Sequence, residues 1–159
     1  MTSTHAVQQL DELRRLRERR AEAQLASWRV RCQAAAQQLA EAQAQVREAL
    51  ALLEQEARDL HTLLSEGALP VGRYRSALDL LDALEAQRGH LADQANAASR
   101  HLAEVQASRD QAHQLWLRRQ LQCEALEPLL QRHHRARLRA AEAVEESLAE
   151  DRPQGALRR

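Results

Sequence analysis

The side chains best suited to metal binding or nucleophilic chemistry are an adjacent histidine pair and two cysteines. The pair His133 and His134 has an arginine on either side, and these positive charges oppose a bound cation. The sequence has no glycine-rich phosphate loop, no Ser-His-Asp arrangement and no paired acids in a pocket-forming segment. We therefore predict a protein that is not an enzyme and that binds no metal ion or cofactor.

Arginine provides the most informative charge pattern. All 23 basic residues are arginine and 23 acidic residues balance them, so the net charge is zero and nucleic-acid binding is not favoured. Eleven arginines nevertheless form an early and a late cluster: Arg14, Arg15, Arg17, Arg19, Arg20, Arg118, Arg119, Arg132, Arg135, Arg137 and Arg139. Six acids within 9–22 and 116–139 leave these segments with a net charge of about +5. A solvated helix face explains this pattern, and so does electrostatic docking onto an acidic partner.

Two long helices must position these arginines, because Ala, Leu, Gln, Glu and Arg dominate the composition and favour helix. From Leu25 to Leu60 an apolar residue or cysteine recurs every seventh position, and a companion series starts three residues later at Trp28. Upstream, the leucines at positions 10, 13 and 16 do not fit this count. They predict a stutter in the repeat near residues 17–22.

A second seven-residue series runs from Leu81 and Leu84 to Val144 and Ser147. It is weaker than the first, since four arginines occupy seam positions, although their aliphatic stems can lie along an apolar seam. Pro128 falls on the outer face of this second helix and is expected to kink it. The second helix is also the longer one, so its C-terminal end is expected to extend beyond the first.

The segment "SEGALPVGRYR" (65–75) separates the two series. Gly67 suits the position after a helix, and Pro70 acts as a stop signal. The sequence thus predicts an all-α fold in which two long helices form an antiparallel coiled-coil hairpin. The predicted limits are a single domain at 1–159, helices at about 5–66 and about 73–150, a turn at 67–72 and a frayed tail at 151–159.

The two cysteines are too few for a disulfide framework and favour a reducing compartment. In a hairpin that turns near residue 69, Cys32 faces residues 106–112 and Cys123 faces residues 15–20, so they are too far apart to form a disulfide. The N-terminal segment has no apolar signal core, and no stretch approaches the ~20 apolar residues of a membrane span. We expect a cytoplasmic protein.

The layout and three segments resemble the stalk proteins of type III secretion, which include the flagellar FliJ and the injectisome YscO and HrpO types. The best match is "SEGALPVGRYRSALDLLDALEAQRGHLADQ" (65–94), a glycine-containing loop followed by arginine, an aromatic residue and a run of aliphatics. The segments "RCQAAAQQLAEAQ" (31–43) and "SRDQAHQLW" (108–116) are similar to the two helices of that family. The longer first helix and Leu80, where flagellar members often have phenylalanine, point to an injectisome and hence to virulence.

The resemblance implies a non-enzymatic central stalk. Family members insert the open end of the hairpin into the hexameric secretion ATPase and promote its assembly and activity. They link it to the cytoplasmic domain of the export gate, and some bind export chaperones. On this basis the eleven clustered arginines are candidates for ATPase docking, and the candidates for the export-gate contact are Gln38, Tyr74, Leu80 and Leu84.

The implied stalk is a monomer when free, and it works in the cytoplasm, peripheral to the inner membrane at the secretion apparatus. Leu80 also stands out without the resemblance, because it lies beside the seam and is expected to be an exposed apolar residue. Two alternatives remain open. One is a structural coiled coil that oligomerises or tethers partners, and the other is a nucleic-acid-associated coil, which the net charge and the few aromatics disfavour.

Overall fold

The computed structural model describes residues 2–67 and 69–150, and in it two long helices pack against each other. Helix α1 spans Thr2–Ser65 and helix α2 spans Val71–Glu150. These two ranges contain no strand, which confirms the predicted all-α fold, an antiparallel hairpin of two long helices. The predicted frayed tail, residues 151–159, lies outside the described residues.

The end of α1 depends on a glycine. The Gly67 N–H donates to the Leu64 carbonyl oxygen at 3.2 Å. In this hydrogen-bonded turn the backbone angle φ of Gly67 is +71°, a conformation that costs free energy for a residue with a Cβ. The predicted role of Gly67 just after the first helix is confirmed.

A proline precedes the first residue of α2. The Pro70 carbonyl oxygen accepts a hydrogen bond from the Tyr74 N–H at 3.1 Å, which is the first helical bond of α2. The helix therefore begins at Val71, slightly before the start predicted near residue 73. Helix α1 likewise begins earlier than predicted, at Thr2 instead of about residue 5.

The contacts within the chain divide it into two compact units. The terminal unit comprises Met1–Gln24 and Ala112–Arg159, and the turn unit comprises Leu25–Gln111. Every buried side chain among the described residues is apolar or a cysteine: Ala21, Leu25, Cys32, Ala35, Leu60, Val105, Ala112 and Leu126. The core is narrow, because each of two paired helices can shield only one stripe of the other.

In the turn unit, the predicted seven-residue repeats form the seam. Every predicted seam position on α1 from Leu25 to Leu60 is buried or half-buried, and the same holds on α2 from Leu81 to Arg109. Leu63 is the exception, since it is predicted in the seam but is exposed. Beside this seam the Arg31 guanidinium lies 4.6 Å from the centre of the Trp28 ring, a cation–π contact.

The terminal unit corrects the predicted register of α1. The residues that are not exposed are Val7, Asp11, Arg14, Glu18 and Ala21, which continue the same seven-residue count backwards from Leu25 and Trp28. No stutter occurs, and Leu10, Leu13 and Leu16 are 39%, 42% and 40% exposed. The prediction was wrong because the polar side chains at the α1 seam find partners on α2 and on α1 itself, so the seven-residue count continues without the leucines.

On α2 the predicted seam of the terminal unit extends only to His133. From His134 to Ala149 every side chain is exposed, as expected for the end of the longer helix. The helix continues through Pro128, which lies inside it. Since proline has no N–H, the Glu124 carbonyl lacks its helical donor, and the kink expected at this point stays a prediction.

Candidate functional site: the terminal unit

All eleven candidate docking arginines belong to the terminal unit. Five come from α1 between residues 14 and 20, and six come from α2 between residues 118 and 139. The antiparallel pairing therefore brings together two clusters that are about a hundred residues apart in sequence. This agrees with the expectation that both clusters lie in the same part of the hairpin.

Three of these arginines have partners within the described residues. Arg15 forms an ion pair with Asp11, in which Nε lies 2.9 Å from Oδ2. Arg14 donates to the backbone carbonyl of Gln122 at 2.8 Å, and Arg119 donates to the Gln122 side chain at 3.1 Å. The other eight are exposed and form no salt bridge with a described residue: Arg17, Arg19, Arg20, Arg118, Arg132, Arg135, Arg137 and Arg139. Their guanidinium groups are available to a partner.

A polar groove of about 600 Å³ lies between α1 and α2 in this unit. Its lining contains four carboxylates, two arginines, an amide and a thiol: Asp11, Arg15, Glu18, Arg19, Gln120, Cys123, Glu124 and Glu127. The hydrogen bond with Asp11 raises the pKa of Arg15 above its ordinary value. The four carboxylates of the lining outnumber its two arginines, so the groove itself is acidic.

The Cys123 thiol lines this groove. Burial raises the pKa of Cys123, and a hydrogen bond with Glu18 raises it further, whereas the nearby Arg15 lowers it. Its position beside Glu18 agrees with the predicted pairing of Cys123 with residues 15–20. Both cysteines are free thiols.

Metal chemistry finds no support in the part of the chain that the structure describes. No group of three or more His, Cys, Asp or Glu side chains is arranged there to hold a metal ion. His133 and His134 instead line a small cleft of about 60 Å³ together with Arg137, whose positive charge opposes a cation.

The candidate gate residues lie in the turn unit but do not form one site. Tyr74 and Leu80 are exposed near the start of α2, which confirms the exposure predicted for Leu80, and Leu84 is half-buried in the seam. Gln38 instead lines a groove with His101 and residues further along α2. At 1.5 Å per residue, His101 is about 25 Å along the helix axis from Leu84.

Sequence reasoning missed the exposed leucines of the terminal unit. The stutter it predicted assigned Leu10, Leu13 and Leu16 to the seam, whereas they lie outside it. On α2, Leu117 and Leu121 are exposed as well. The signal that identifies these leucines is the unshifted seven-residue count, which leaves positions 10, 13 and 16 off the seam.

None of the described helices has an apolar stretch long enough to cross a membrane. Comparison of the chain with models of protein families, with curated proteins and with solved structures found no match.

Proposed function

We propose that this chain is the non-enzymatic central stalk of a type III secretion system. In this proposal the terminal unit docks in the hexameric secretion ATPase, and the chain links the ATPase to the export gate. The single observation that carries the proposal is the arginine distribution: eleven arginines from both helices belong to one unit, and eight of them form neither a salt bridge nor a side-chain hydrogen bond with a described residue. Such a surface suits an acidic binding site.

The proposed stalk hydrolyses no ATP itself. It promotes assembly and activity of the ATPase, acts in the cytoplasm peripheral to the inner membrane, and has a monomeric free form. On the gate side, the exposed Tyr74 and Leu80 and the neighbouring Leu84 support a contact near the turn. Gln38 is too distant along the axis to share that contact, so it is a candidate for a separate one.

Charge reversal tests the docking directly. The variant Arg17→Glu, Arg20→Glu, Arg135→Glu and Arg139→Glu changes four exposed arginines of the terminal unit. Addition of the wild-type chain to the cognate secretion ATPase should raise the hydrolysis rate and the hexamer fraction, and the variant should do neither. The stimulation should also weaken as ionic strength rises, because salt screens exposed charges.

A matched control carries the same charge change in the other unit. Arg47, Arg58, Arg73 and Arg75 are also exposed, and they belong to the turn unit. Their reversal to glutamate should leave the stimulation intact. Equal stimulation by the terminal-unit variant and the wild type would remove the docking assignment.

A scaffolding coiled coil is the second candidate function, and the exposed apolar residues around the turn favour it. They are Leu63, Leu64, Val71, Tyr74 and Leu78. Exposed apolar groups at one place favour association with further chains. Light scattering with small-angle scattering separates the two functions: an elongated monomer supports the stalk, and a stable dimer or higher oligomer supports the scaffold.

A further inference from the structure

The terminal unit has an inverted distribution of polarity on α1. Its seam contains Asp11, Arg14 and Glu18, while three leucines in the same segment are exposed. Ordinary two-helix packing puts the leucines in the seam and the charges outside. A sequence that breaks this rule over one segment identifies that segment as a candidate functional surface.

One flank of this segment, beside the seam, is both apolar and basic. Leu10, Leu13, Arg17 and Arg20 follow one another at intervals of three, four and three residues, so they share one face of α1. No acidic side chain lies on this flank, since Asp11 and Glu18 are in the seam and Glu12 and Glu22 are on the other side, where Glu12 neighbours Leu16 at a spacing of four residues. A complementary partner surface must therefore combine apolar contacts with negative charge.

Helix α2 has a corresponding face in the same unit. Leu117 and Leu121 are exposed, and Arg118 lies next to the first of them. At 100° per residue, Leu121 points away from the α2 seam, and Leu16 likewise points away from the α1 seam. Since the two seams face each other, these leucines point in opposite directions.

These directions determine the kind of occupant. A flat lipid surface, or a second copy of this chain packed along one helix, can cover the outer face of one helix only. A protein that surrounds the unit covers both outer faces at once. We infer that Leu10, Leu13, Leu16, Leu117 and Leu121 form an apolar contact surface for an enclosing protein partner with acidic side chains.

This inference rests on the proposed function, in which the partner is the ring of the secretion ATPase. It adds that docking is not purely electrostatic. The leucine contribution persists at high ionic strength, whereas the arginine contribution is screened. Replacement of the leucines should therefore weaken binding at every salt concentration, whereas replacement of the arginines should weaken it mainly at low salt.

The test is the affinity of the full chain for its cognate ATPase, measured by fluorescence anisotropy at low salt and at about 0.5 M salt. The variant Leu10→Gln, Leu13→Gln and Leu16→Gln should raise Kd by about tenfold or more at both salt concentrations. The matched control is Leu50→Gln, Leu52→Gln and Leu78→Gln in the turn unit, where the leucines are 41%, 45% and 39% exposed. It should leave Kd unchanged.

Folding of the variants is checked by helical circular dichroism, and Leu117→Gln with Leu121→Gln provides a second variant on the other helix. If the wild-type chain binds and both terminal-unit variants bind with the same Kd, this inference is overturned and the proposed function stands. Absence of wild-type binding would overturn both. Leucine-dependent binding to anionic lipid vesicles, or a leucine-dependent dimer in light scattering, would assign the surface to a different occupant and overturn the inference.

Discussion

Replacement of the two acids in the α1 seam by leucine should stabilise the hairpin. The substitutions are Asp11→Leu and Glu18→Leu, at positions that repeat seven residues apart and face α2 in the terminal unit. Full burial of a leucine side chain contributes about 1.5–3 kcal/mol relative to its exposure. The Asp11 side chain is only 18% exposed, so most of that burial is available to a leucine there.

The lost polar contacts offset part of the gain. Asp11 loses its ion pair with Arg15, but Arg15 is 61% exposed, so solvent screens this pair and its loss should matter little. Glu18 loses its hydrogen bond with Cys123, which removes one cause of the raised pKa of this thiol, while burial, the largest cause, remains. We expect a net gain of roughly 2 kcal/mol in the free energy of unfolding for the double variant.

The assay is urea unfolding followed by helical circular dichroism, and the midpoint should rise without a change in slope. Glu12→Leu with Glu22→Leu is the matched control, because both glutamates lie on the same segment of α1 but are exposed. The control should shift the midpoint little. An equal rise in both double variants, or no rise in the seam variant, would refute the register that places Asp11 and Glu18 against α2.

Two further predictions concern the thiol and the glycines. In a Cys32→Ser chain, the rate of Cys123 alkylation should rise with pH at a midpoint above that of an ordinary thiol, because the thiolate is the reactive form. Glu18→Gln should lower this midpoint and Arg15→Gln should raise it. Shifts in the opposite directions would contradict the groove geometry. The glycine substitutions should have opposite signs in urea unfolding. Gly89→Ala should raise the free energy of unfolding by about 1 kcal/mol, because Gly89 lies in the interior of α2 and an added Cβ meets nothing within 4 Å. Gly67→Ala should lower it by about 1 kcal/mol, because φ at Gly67 is +71°.

The turn unit could be predicted almost entirely from the sequence, because its repeat is continuous and mostly apolar. From Leu25 to Leu60 the seam residues recur in steps of three and four, and the structure buries or half-buries all of them. The position of the turn then sets which residues of the two helices face each other. The same pairing rule places Gln38 opposite residue 100, so its separation from Leu84 could have been deduced as well.

The terminal unit was predicted less well because hydrophobicity competed with spacing. Leu10, Leu13 and Leu16 are each three residues apart, and at 100° per residue such a series drifts by about 60° per step around the helix. It cannot form one straight stripe, whereas the positions of Asp11, Arg14 and Glu18 alternate three and four residues and do. In this segment spacing was the better guide, since polar partners on α2 make a polar seam tolerable.

The side-chain chemistry of the terminal unit fits the proposed docking of a protein partner. Its α1 seam contains charged groups, while leucines that could stabilise it by burial are exposed. A partner that covers these leucines stabilises the helices that present them, so binding and the stability of this unit are thermodynamically linked. The arginine contribution to binding falls with ionic strength and the leucine contribution does not. A protein with an acidic but polar surface should therefore bind the unit only at low salt, and one with both features should bind it under physiological conditions.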